Sequence, residues 1–284
     1  MTLVSMFDAV RSARPGALGA FNVIQLEHAE AIVAGAVVAR RPVVLQISEN
    51  TVGYHGSLAP VAVACLRMAA ESSAEVVVHL DHATSVGLVR EAIGLGVGSV
   101  MYDASALPHE ENVAATAEVV GWCHERGVWV EAELGEVGGK DGAHAAGTRT
   151  DPDEATAYVA ATEVDALAVA VGSSHAMLTR DAALDLELIA ALAVAVDVPL
   201  VLHGSSGVPD DGLVRAVAAG MVKVNIATQL NKVMAEAVRA ALAADQSLVD
   251  PRKYLGPGRD AVAAEVTRLL RLLCPPAHPR RDAS

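Results

Sequence analysis

Three histidines, His82, His175 and His203, each follow a short apolar run, in VVVHLDHATS, ALAVAVGSSHAM and PLVLHGS. A buried strand normally avoids such groups, because desolvating an unpaired neutral polar group costs roughly 2–7 kcal/mol. A lone histidine is more often structural than a ligand, but three at comparable places reverse that weighting. Three imidazoles with one open position form the usual catalytic zinc arrangement, and the open position can polarise a substrate oxygen. Asp81, next to His82, is a carboxylate placed to move a proton. The blander reading of Asp81 and His82 is a pair of satisfied rim residues. As strand neighbours they should face opposite ways, so one site takes both only if the strand ends there and the backbone turns.

Other polar groups also fall at the ends of apolar runs. Asp103 and Glu133 are read either as partners that orient the ligating histidines or as a second metal position. Glu131 shares a face with Glu133 but lies deeper, as a paired charge would. GSSG, from Gly204 through Ser205 and Ser206, and NIAT, comprising Asn225, Ile226, Ala227 and Thr228, stand where strands pass into loops or helices. Successive backbone N–H groups at such places cradle anions, although ordinary turns read the same way. Asn22 and Ser48 complete the set of strand-end polar residues. Histidines 28, 55, 79, 109, 124, 144 and 278 receive no role. Residues 135–152 form a long Gly- and Ala-rich stretch expected to be either functional, with a closing lid as the usual case, or disordered.

The elements that must position these groups are strands at 17–24, 42–48, 75–81, 99–105, 128–134, 166–172, 199–205 and 223–228. Between them lie Ala-rich segments with apolar residues at i, i+3 and i+4. Eight strand–helix alternations in about 250 residues predict a (β/α)8 TIM barrel, an α/β fold whose chemistry sits at the C-terminal rim of the strands. An open doubly wound sheet is the alternative, weakened because no Gly-rich dinucleotide fingerprint follows the first strand. A single domain over residues 1–274, C-terminal helices included, and a disordered tail at 275–284 are expected. The composition, 52% hydrophobic and 3% aromatic, fits this class. Three cysteines without CxxC spacing, no secretory signal and no apolar run long enough to span a bilayer point to the cytoplasm. A net charge of −13 disfavours nucleic acid and anionic membranes as partners.

The segments FNV, HLDH, VEAELG, AVGSSH, PLVLHG, KVNIAT and DPRKYLGPGR, in this order, resemble the class II (zinc-dependent) ketose-bisphosphate aldolases. That family includes fructose-1,6- and tagatose-1,6-bisphosphate aldolases, and the resemblance runs from about residue 3 to residue 272. It implies His82, His175 and His203 as zinc ligands and Asp81 as acid/base on the C4 hydroxyl of a ketose bisphosphate. It further implies Asp103 and Glu133 as an alternative or second metal position. The dihydroxyacetone phosphate end would be held by Gly204, Ser205, Ser206 and residues Asn225 to Thr228. Asn22 and Ser48 would line the site, with Ser48 near the other phosphate, and Arg252 would reach that phosphate from a neighbouring subunit. A homodimer or homotetramer, and a monovalent cation beside the zinc, belong to the same expectation.

Two positions depart from the family pattern. The loop after strand five reads GGKDG where the family has a Glu, which leaves Asp141 as the nearest group to exchange the C3 proton. Ala176 follows His175 where Gly is common, close to a phosphate. These departures motivate a different ketose phosphate as substrate, or a non-catalytic barrel that binds metal and sugar phosphate. A barrel metallohydrolase is the remaining alternative, since three histidines and a carboxylate can also activate water.

Overall fold

Runs of β-branched and small apolar residues form eight strands: β1 (Leu18–Asn22), β2 (Val43–Ser48), β3 (Val76–Ala83), β4 (Ser99–Tyr102), β5 (Trp129–Leu134), β6 (Ala166–Val169), β7 (Leu200–Leu202) and β8 (Met221–Ile226). In the computed structural model, which describes residues 2–134, 149–174 and 177–274, these strands close into a barrel in sequence order. Every neighbouring pair is parallel, including β8 with β1. The expected (β/α)8 barrel is therefore the fold. Histidine 175, Ala176, Asp141, residues 135–148 and the 275–284 tail lie outside the described residues.

Helix α1 (Met6–Ala13) lies across the N-terminal floor, where Met6, Ala9, Val10 and Ala13 pack against Leu18, Ala20, Val44 and Val77. Each Met or Val side chain so buried contributes about 1.5–3 kcal/mol. The outer ring consists of α2 (Leu26–Ala39), α3 (Glu49–His55), α4 (Ala59–Glu71), α5 (Val86–Gly94), α6 (His109–His124), α7 (Pro152–Thr162), α8 (Leu186–Ala195), α9 (Asp210–Ala219) and α10 (Thr228–Ala244). A last long helix, α11 (Pro251–Leu272), packs on α2 and α10. A Cβ at Gly35 of α2 would stand 2.7 Å from Val266 Cγ1 of α11, so this close helix contact requires glycine. Among the described residues no helix is long and apolar enough to cross a membrane.

Several strands differ in extent from expectation, and the differences matter at the rim. Strand β3 does not stop at Asp81 but runs on to Ala83. The step from Leu80 to Ala83 on β3 faces the shorter step from Val100 to Tyr102 on β4, which marks a β-bulge. Histidine 82 occupies the bulge with φ +51, a left-handed conformation uncommon for a residue with a Cβ. The bulge, rather than a strand end, breaks the alternation of Asp81 and His82. Strand β6 ends at Val169, short of 172, and Gly172 beyond it takes φ +111. Strand β8 begins two residues early, and Thr228 already opens α10.

Candidate active site

The bulge in β3 delivers two side chains to one place. Donor atoms of Asp81, His82 and His203 all lie within 4.8 Å of one another, and so do those of His82, Asp103 and Glu133. The His82 and His203 rings meet edge to face with centroids 4.8 Å apart. Glu49 of α3 holds the chain after the bulge, accepting from the Thr84 N–H at 2.6 Å.

Each imidazole is fixed by carboxylates. His82 Nδ1 lies 2.8 Å from Asp103 Oδ2, and Asp103 Oδ1 accepts from the Ser105 N–H and hydroxyl. With the proton on Nδ1, Nε2 carries the lone pair that a metal needs. His203 Nε2 lies 3.0 Å from Glu131 Oε1, and its Nδ1 lies 3.3 Å from Glu133 Oε2. Burial alone would lower the His203 pKa, but the two carboxylates overcome this and raise it to about 9. Asp81 is buried, which favours its neutral form, yet His82, His203 and Lys223 outweigh that and hold its pKa below the usual value. Its Oδ1 has no hydrogen-bond partner among the described residues.

These donors fit a divalent cation of borderline softness, because imidazole nitrogens and carboxylate oxygens are its usual ligands. The orphaned buried oxygen of Asp81 is what such a site, or a substrate hydroxyl, would satisfy.

Beside them opens a cavity of about 180 Å³ lined by Asn22, Gln46, Ser48, Asn50, Asp81, His82, Gly204, Ser205, Ser206, Asn225, Ala227 and Thr228. Gly204 has φ +65, and a Cβ there would stand 2.6 Å from the Ser174 backbone. Only glycine lets the chain turn into the 3-10 turn Ser205–Gly207. Within that turn the buried Ser205 hydroxyl donates to the Asn225 carbonyl, and Ser206 Oγ accepts from the Gln229 N–H at 3.2 Å. The turn is thereby bound to the start of α10, whose first residue, Thr228, lines the same cavity. Neither amide atom of Asn225 has a partner among the described residues. Ser48 also caps α3, accepting from the Thr51 N–H at 3.2 Å.

Two expected contributors stand elsewhere. Ile226 does not line the cavity; it packs in the core outside the barrel, because alternation sends it opposite to Asn225. Arg252, exposed at the start of α11, is bound to Asp250 at 2.8 Å and does not line the cavity of its own chain. A larger cavity of about 720 Å³ lies at the opposite end of the barrel, between Arg14, Pro199 and Gly220, and among the described residues its lining holds no histidine or glutamate. The candidate metal donors are at the rim.

The family model for class II fructose-bisphosphate aldolases matches residues 2–275. The chain belongs to that family. It is 40% identical to the fructose-bisphosphate aldolase of Geobacillus stearothermophilus over 277 residues, covering 95% of this chain and 96% of the relative. Identity to the fructose-bisphosphate aldolase of Staphylococcus aureus (strain Mu50) is 39% over 272 residues, covering 94% and 95%. The crystal structure of the YdjI aldolase from Escherichia coli K12 superposes with a TM-score of 0.84 at 30% identity, covering 96% of this chain and 97% of that one. The protein is a class II aldolase, a carbon–carbon lyase.

Reading strand ends alone misses a tier of this aldolase. Gln46 lines the cavity and donates through Nε2 to Asn22 Oδ1 at 3.2 Å. Asn50 lines it from α3. Glu131 is more than a paired barrel charge, since it contacts both His203 and Lys223. His79, given no role, is fully buried with Nδ1 2.7 Å from Ser99 Oγ, and burial lowers its pKa to about 3. The available signal was strand parity: residues 46, 79, 131 and 223 each stand two before a rim residue on the same strand.

Proposed function

We propose that this chain catalyses zinc-dependent, reversible cleavage of a ketose 1,6-bisphosphate of the fructose or tagatose type to dihydroxyacetone phosphate and glyceraldehyde 3-phosphate. The observation that carries this reading is the convergence of Asp81, His82 and His203 beside a cavity walled by the Gly204–Ser206 turn and the start of α10. His82 and His203 would hold the zinc, with His175 as the third imidazole in the sequence. Zinc bound there supplies positive charge that stabilises negative charge developing on a substrate carbonyl oxygen.

The chain's own groups do the rest. Asp81, held ionised and with an unpartnered oxygen, takes the proton of the C4 hydroxyl as the C3–C4 bond breaks. Asp103 and Glu133 orient the imidazoles and, with His82, form an alternative ligand set. The 204–206 turn and the first N–H groups of α10 receive a phosphate, while the Asn225 amide supplies unpaired donor and acceptor atoms beside it. Protonation at C3 falls to a second acid, for which Asp141 is the residue the sequence offers. Arg252 serves the far phosphate of a neighbouring subunit in a homodimer or homotetramer. A second reading keeps the mechanism but changes the ketose phosphate, and Asp141 and Ala176 favour it.

Retro-aldol turnover of fructose-1,6- and tagatose-1,6-bisphosphate, before and after chelation and after zinc is restored, tests the proposal. Chelator-sensitive release of dihydroxyacetone phosphate is expected, falling by about 10²–10⁴-fold in Asp81→Ala. Turnover that survives both chelation and Asp81→Ala would falsify the mechanism. Turnover of neither sugar by zinc-loaded protein would move the substrate to another ketose phosphate.

A further inference from the structure

Beneath the cavity, a charged pair crosses the barrel interior. Lys223 Nζ of β8 donates to Glu131 Oε2 of β5 at 2.7 Å, and Glu131 Oε1 lies 3.0 Å from His203 Nε2. Lys223 is 2% exposed and Glu131 and His203 are fully buried, so water does not complete any of these contacts. Stability gives no account of such a pair. The desolvation of two buried charges commonly cancels their attraction, and apolar residues of similar volume are often as good or better. What the pair does is geometric. Its two ends occupy both oxygens of one carboxylate, one with an ammonium and the other with an imidazole.

We infer that Lys223 is a positioning residue of the metal site: by anchoring Oε2 of Glu131, it fixes Oε1 as the acceptor for His203 Nε2–H and leaves Nδ1 as the ring atom that takes the metal. The inference rests on the proposed role of His203 as a zinc ligand. Two observations beyond the distances support it. Nδ1 is the nitrogen turned toward Glu133, within the group of donors that converge with His82. In addition, Lys223 is the one lysine or arginine at hydrogen-bond distance from Glu131 among the described residues, so losing it frees Oε2 and removes the anchor that holds the carboxylate in place. A ring without a fixed partner can turn over, and a turned ring offers the wrong nitrogen.

The test uses the full chain with zinc. Competition against a chromogenic chelator is expected to show zinc affinity lowered by about 10–100-fold in Lys223→Met. That variant leaves Oε2 of a buried carboxylate without its ammonium, so the double variant Lys223→Met/Glu131→Gln, which removes both charges, keeps the question open to measurement if the single one does not fold. The double variant is expected to melt near the parent and still bind zinc weakly. Zinc affinity within about twofold of the parent in a folded variant overturns the inference. Nitrogen–proton correlation spectra of the zinc-loaded parent give an independent answer: an Nε2–H ring for His203 is expected, and an Nδ1–H ring overturns it. His203→Ala separates the two ideas. If it binds zinc like the parent, the ligand role itself fails; if it loses zinc while Lys223→Met does not, only the positioning role fails.

Discussion

At the scale of single residues, the site is made of groups kept in states that open solution would not favour. Asp81 is ionised in the barrel interior because cations and imidazoles surround it, and His82 is held in a left-handed bulge that its side chain alone would not choose. His203 makes a prediction for the metal-free protein. Its folded-state pKa, about 9, exceeds the ordinary 6.5, so the folded state binds a proton that the unfolded chain releases. The stability this contributes is fully present below about pH 6.5 and is lost as pH rises through about 9. Urea midpoints of chelated protein are therefore expected to fall between about pH 6 and about pH 9.5, and less so with zinc bound, because metal displaces that proton. Equal falls with and without zinc would show that His203 is not where the proton sits. The rim members, Asp81, Asp103, Glu133 and Asn225, were legible as polar residues closing apolar runs. Gln46 and Lys223 were not, because a polar residue inside a run carries no end signal.

At the scale of elements, eight runs and their spacing were enough to read the barrel, since each run is short, β-branched and followed by a helical pattern. The bulge in β3 was not readable. No glycine marks it, and its cause is tertiary: Asp103, just after β4, holds the His82 ring, and Glu49 on α3 holds the chain that follows at Thr84. A second device at this scale is the clasp over the 205–207 turn. Arg180, after β6, donates to the Val208 carbonyl through Nε and Nη2 and pairs with Asp210 of α9 at 2.6 Å. Asp210 also pairs with Arg268 of α11, and Arg268 pairs with Glu265, which accepts from Gln229 of α10 at 3.0 Å. These groups are partly exposed, so the network as a whole contributes about 1 kcal/mol. Asp210→Ala is expected to cost about that much in urea unfolding. It is also expected to raise KM for the phosphorylated substrate more than it lowers kcat, because the turn proposed to receive phosphate loses its brace. A change in stability with an unaltered KM would confine the clasp to folding.

At the scale of the whole molecule, the cavity of one chain is lined by the Asp81 carboxylate, the His82 imidazole, amides and hydroxyls, and Arg252, paired with Asp250 at the start of α11, does not line it. If a neighbouring subunit supplies that arginine, Arg252→Ala and Asp81→Ala proteins are each weakly active alone. Mixed under conditions that exchange subunits, they should recover activity, because a hybrid pairs an intact Asp81 with an intact Arg252. No recovery from demonstrably mixed oligomers would remove Arg252 from the neighbour's site.

The floor of the barrel has its own consequence. Ala17 N–H donates to the Leu273 carbonyl at 3.0 Å, and Cys274 lies against Ala13, so the first strand and the last helix are joined where α1 closes the bottom. The ring of elements has its seam on the face opposite the chemistry. A chain tethered to a solid support through an extension beyond residue 274 would stand with its mouth toward the liquid, catalytically intact. Such a support could be washed with chelator and recharged with the proposed zinc many times, turning a feature of chain closure into a reusable surface.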